Sequence, residues 1–68
     1  MRFIRWKVFA ADFETKLASS GLGLRELAAQ LETSHSNLSR LRGGRGCSAE
    51  LFMVVCLWMN KDPRFYLS

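Results

Sequence analysis

From Thr33 to Ala49 the chain sets Arg40, Arg42 and Arg45 among His35, Ser34, Ser36, Asn37 and Ser39, with no carboxylate in the stretch. These side chains donate and accept hydrogen bonds and attract anions. A carboxylate here would repel phosphate, so its absence suits a surface built for a polyanion. Gly43, Gly44 and Gly46 lie among the arginines, where they would let backbone N–H groups approach a phosphate closely. Catalysis has little support: Glu32, His35 and Ser36 offer an acid, a base and a hydroxyl, but adjacent helix residues point in different directions.

The elements that would carry this stretch are short helices separated by glycines. Trp6, Phe9, Ala10, Phe13 and Leu17 recur on one helical face, predicting a helix over Arg5–Ser19 that Gly21 ends. Leu24, Leu27, Ala28 and Leu31 predict a second, tight helix over Leu24–Leu31, with Gly23 as cap and Glu26 in its first turn. Ser34 caps a third, His35 to about Arg42, whose inward side is Leu38 and Leu41 and whose other side is polar throughout. Ser48 caps a fourth, Ala49–Asn60, and Asp62-Pro63 starts a further helical turn.

The bulk numbers agree with a small nucleic-acid binder. Sixty-eight residues make a single domain over 1–68, and a net charge of +4 favours polyanionic partners. Cys47 and Cys56 form no disulfide framework, and one histidine leaves a zinc site without ligands at a usual spacing. No metal, cofactor or small-molecule ligand is expected. The longest apolar run, Leu51–Met59, is about half of a bilayer span. With no secretory signal visible, a cytoplasmic, non-membrane protein is expected.

LRELAAQLETSHSNLSRLRGG, residues 24–44, resembles the helix-turn-helix of the phage repressor and Cro family, also called the XRE family. LRELA and SNLSRLRGG carry most of the likeness, which extends over the four helices. It implies an all-α, lambda-repressor-like bundle of four or five helices with the third in the major groove of double-stranded DNA. By position it makes His35, Ser36 and Arg40 base readers, with Asn37 beside them, and places Ser34, Ser39, Arg42 and Arg45 at the phosphate backbone. It also implies a phage or bacterial transcription regulator, most simply a repressor binding a two-fold symmetric operator as a homodimer. Two positions depart from the family pattern. Glu32 stands where the turn usually has glycine, which predicts a slightly altered turn. Leu24 replaces a glutamine that often touches phosphate, so that contact is missing.

Other readings compete. Each polar residue of the third helix could be ordinary solvated surface. Arg2, Arg5 and Lys7 form a second basic cluster that reads as a solvated terminus ahead of a DNA-touching arm. The fourth helix is apolar all round, which a small core cannot surround. Part of it, with Phe65, Tyr66 and Leu67, therefore either packs on the N-terminal arm or forms a dimer interface. The apolar excess favours the dimer, through Phe52, Trp58, Met59, Phe65 and Tyr66. The termini, Met1–Trp6 and Arg64–Ser68, could instead pair as strands. The rival function is a protein-interaction module, an adaptor or anti-repressor docking through the fourth helix. A detached N-terminal domain of a longer regulator also fits.

Overall fold

The computed structural model describes residues 3–68, so Arg2 of the basic N-terminal cluster lies outside the described residues. The architecture is all-helical: α1 (Trp6–Ser20), α2 (Leu24–Gln30), α3 (His35–Arg42) and α4 (Ala49–Met59), followed by a 3₁₀ turn at Pro63–Tyr66. Each start has a local cause. The Ser34 and Ser48 hydroxyls accept the Asn37 and Leu51 N–H groups at 3.1 and 3.2 Å, capping α3 and α4. Asp62 accepts the Arg64 N–H at 2.9 Å, and Pro63 opens the 3₁₀ turn. At α2, which lacks a capping side chain, Glu26 accepts the Gly23 N–H at 3.3 Å.

Three helices end in the same way. The sixth N–H turns back to the first carbonyl: Thr33 to Ala28 at 2.9 Å, Arg45 to Arg40 at 3.1 Å and Lys61 to Cys56 at 2.9 Å. The residue before each of these donors occupies the left-handed region: Glu32 (φ 54°), Gly44 (φ 77°) and Asn60 (φ 58°). This is the Schellman closure, for which glycine is best suited and asparagine next. Glu32 therefore departs from glycine in side chain but keeps a left-handed backbone, and the departure appears as strain. A non-glycine residue there costs about 1–2 kcal/mol, against about 0.5–1 kcal/mol of extra unfolded-chain entropy for glycine. Glu32→Gly should accordingly stabilise the chain by about 0.5–1 kcal/mol, raising Tm by a few degrees in a thermal melt. A lower Tm would mean that the Glu32 side chain contributes a contact outweighing its strain.

The core is one cluster. Phe9, Phe13 and Leu17 of α1 meet Leu27 and Ala28 of α2, Leu38 and Leu41 of α3, and Leu51, Phe52, Val55, Cys56 and Met59 of α4. Tyr66 of the 3₁₀ turn completes it. Ala28 lets α2 and α3 approach, and α3 packs against both α1 and α2. Burial pushes the thiols of Cys47 and Cys56 up to about 11, so both stay protonated and poorly reactive near neutral pH.

The expected dimer surface is mostly absorbed by this core. Phe52, Met59 and Tyr66 are 5%, 6% and 0% exposed, leaving nothing for a partner to cover. The reason is that the chain supplies its own lid. Phe9 stacks edge-on with Phe52 at 4.8 Å and Tyr66 at 5.0 Å, and Trp6 lies 5.7 Å from Phe52. Trp58 is half-buried beside Phe13 and Phe65 remains half-exposed. Arg5 holds this lid in place. Its guanidinium donates to the Phe65 carbonyl, and its backbone N–H to the Tyr66 carbonyl at 2.7 Å. Met1 and Arg2 of the expected terminal strand lie outside the described residues; among those described, strand pairing of the termini is one antiparallel bridge, Ile4 to Leu67. Among the described residues no helix is long and apolar enough to cross a membrane.

Candidate nucleic-acid interface

Side chains on α3 are separated by about 100° per residue. With Leu38 and Leu41 buried, the direction away from the core falls between Ser36 and Gly43, with Ser39 and Arg40 about 50° to either side. The outermost stripe is thus Ser36, Ser39, Arg40 and Gly43, all exposed. Asn37 and Arg42 lie on opposite flanks, about 110° from that axis, and His35 is half-buried on the Arg42 flank.

The expected contact residues therefore separate into groups. Ser36, Ser39, Arg40 and Arg45 are exposed, and their side chains have no hydrogen-bonding or ionic partner among the described residues. His35 likewise has none. Arg40, Arg45 and Asn37 converge on a cleft of about 350 Å³ completed by Gly46, Cys47, Ser48 and Leu51, on the α4 side of α3. Asn37 is partly engaged, its amide donating to the Thr33 hydroxyl at 3.3 Å. Ser34 spends its oxygen on the α3 cap but retains a proton to donate.

Arg42 sits elsewhere. Its Nε and Nη2 donate to the two oxygens of Glu14 on α1, at 2.5 and 2.9 Å, away from Arg40 and Arg45. Both partners are about half exposed, and such a surface pair is worth about 1 kcal/mol at most. A phosphate could compete for Arg42, but Arg42 is not a free cation.

The glycine loop also differs from expectation. Gly43 donates to the Ser39 and Arg40 carbonyls at 3.1 Å, Gly44 to Leu41 at 3.0 Å and Arg45 to Arg40 at 3.1 Å. These N–H groups close α3 and cannot cradle a phosphate. Gly46 has a packing role instead: a Cβ there would come within 2.9 Å of the Trp6 indole.

Compared with protein-family models, with curated proteins and with solved structures, the chain matches none. The interface thus rests on its own chemistry. Two further residues lie near it: Lys7, which the sequence set in the basic N-terminal cluster, and Glu14, which it did not single out as a site residue. Lys7 of α1 runs beside Gly44, a Cβ on which would lie 3.7 Å from the Lys7 Cγ. Glu14 fixes Arg42. The sequence signals are the basic cluster for Lys7 and the helical face that positions 7 and 14 share, and nothing local shows which neighbour that face meets. Among the described residues no three His, Cys, Asp or Glu side chains come together as a metal site.

Proposed function

We propose that this chain is a sequence-specific DNA-binding regulator of the helix-turn-helix kind, in a lambda-repressor-like bundle, with α2 and α3 as the recognition unit and α3 in the major groove. The observation that carries this reading is the outer stripe of α3. Ser36, Ser39 and Gly43 are short enough to let a helix enter a groove about 12 Å wide, and Arg40 projects between them without a partner among the described residues. Six carboxylates occur in the chain and none falls between Thr33 and Ala49. In this reading Arg40, Ser36 and His35 face bases, Asn37 borders them, and Ser34, Ser39 and Arg45 meet phosphates. Repression would be steric, by occupying DNA that polymerase needs.

Selection of bound duplexes from a random pool tests it. An enriched palindrome with half-sites about 34 Å apart is expected. No enrichment at low salt would reject the reading.

Assembly on the two half-sites is proposed through α4. Leu57 is 78% exposed and Met53 48% exposed, four residues apart on one face. Two side chains fall far short of the roughly 800 Å² per partner of a standard interface, so pairing should depend on DNA holding two copies together. Leu57→Glu should change folding stability by no more than about 0.5 kcal/mol. It should convert one concerted gel shift on a two-site duplex into two separate steps. A single step retained in the variant would place the interface elsewhere. The same apolar face supports the second reading, a protein-interaction module. Salt separates the two, because DNA affinity falls with a log–log slope of about −0.9 per phosphate contact while an apolar contact barely responds.

A further inference from the structure

A groove on the α1 side of α3 has no role in the function proposed above. Lys7, Ala10, Ala11 and Glu14 of α1 form it with Arg42 and the Gly43-Gly44 turn, and its volume is about 430 Å³. It lies on the Arg42 flank of α3, opposite the cleft of Asn37, Arg40 and Arg45. We propose that this groove seats the second DNA backbone, with Lys7 as its phosphate contact and the Glu14–Arg42 pair as its wall.

Three observations lead there, and the inference rests on α3 entering the major groove. First, a helix with its side chains is about 10–12 Å across and the groove about 12 Å wide, so both bounding backbones must press on the flanks of α3. The α4-side flank already presents Arg40 and Arg45, so the opposite flank must accommodate the other strand. Second, the floor suits a sugar–phosphate chain: Ala10 and Ala11 are small, and Gly43 and Gly44 put no side chain in the way. Third, among the described residues that line the groove, the charges leave Lys7 unpaired. Glu14 is neutralised by both nitrogens it meets on Arg42, whereas Lys7 is exposed and has no hydrogen-bonding or ionic partner among the described residues. The base of its side chain runs beside Gly44, and Lys7 is one of the residues that line the groove.

The test uses the whole chain and a duplex carrying its selected site. Lys7→Ala and Lys7→Gln are compared with the wild type for affinity across a salt series, on that duplex and on random DNA. Circular dichroism confirms that these surface changes leave the fold intact. Both variants should lose affinity equally on the two duplexes, by about eightfold at 0.1 M salt, with a log–log slope about 0.9 shallower. Neutral methylphosphonates, introduced one at a time, then locate the contact. One position should weaken the wild type and not Lys7→Ala, on the strand opposite the position that couples to Arg45. Unchanged affinity and slope in both Lys7 variants, with the wild type still binding its site, would overturn this inference and leave the DNA reading standing. A coupled phosphate on the same strand as that of Arg45 would overturn it too. Failure of the wild type to bind any duplex would overturn both.

Discussion

Tyr66→Ala is expected to unfold much of the protein at 25 °C. Tyr66 is fully buried, although it lies on a four-residue 3₁₀ turn far in sequence from the helices it covers. Its ring meets Phe9 at 5.0 Å and Phe52 at 6.2 Å, edge to face in both cases. Its hydroxyl donates to Asp12 at 2.7 Å. Burial, and then the Asp12 carboxylate, push the phenol above its ordinary range, so it remains a donor at any ordinary pH. Truncating a buried aromatic costs about 3–5 kcal/mol. At about 0.05–0.15 kcal/mol per residue a chain of 68 residues has only about 3–10 kcal/mol to lose. Tyr66→Phe separates the two contributions. It keeps the ring and removes one hydrogen bond to a charged group, so it should cost about 1.5–3 kcal/mol and leave DNA affinity unchanged. Urea denaturation followed by circular dichroism reads both variants. If Tyr66→Ala lost less than about 1 kcal/mol, the 3₁₀ turn would not be the lid of this core.

Tyr66 also shows where the sequence stops being informative. Helix positions were legible because their causes are local. Ser34 and Gly43 bracket α3 so closely that its expected and observed spans agree, and the α1 stripe of Phe9, Phe13 and Leu17 is buried as its period predicts. α4 carries no such stripe. With every residue from Leu51 to Met59 apolar, periodicity cannot tell the core face of Phe52 and Met59 from the exposed face of Met53 and Leu57. The apolar excess therefore read as a dimer surface, when Phe9, Trp6 and Tyr66 supply most of its cover. The ion pair between Glu14 and Arg42, 28 residues apart, and the tether of Arg5 to Phe65, 60 apart, are tertiary events with no local signature. The glycine loop failed differently. Its composition suited a phosphate cradle, but the closure of α3 consumes the N–H groups of Gly43, Gly44 and Arg45. Composition cannot show which acceptor an N–H has already found.

Arg40→Ala is expected to lower affinity for the selected site by about 1–3 kcal/mol, roughly five- to 150-fold, and to relax preference at one base position. The geometry favours Arg40 over the other two arginines as the base reader. Arg42 lies about 110° from the outward axis of α3 and is held by Glu14, whereas Arg40 lies about 50° from that axis and has no partner among the described residues. Arg45 follows the helix, on the rim of the same cleft, where it can reach a phosphate more easily than a base edge. Arg45→Ala should accordingly weaken specific and random DNA alike and reduce the salt slope by about 0.9. The exposed Arg40 guanidinium makes no ion pair among the described residues, so its removal should leave Tm nearly unchanged, and any lost affinity belongs to the interface. Arg40→Lys sharpens the distinction. Lysine preserves the charge but lacks the planar fork that meets guanine through two hydrogen bonds. A base-reading Arg40 predicts that Lys restores affinity for random DNA without restoring discrimination. Arg40 as a phosphate contact predicts that Lys restores both and that Ala costs the same on every sequence. Equal losses on specific and random duplexes would transfer base recognition to Ser36, His35 and Asn37, and reduce Arg40 to a second backbone clamp beside Arg45.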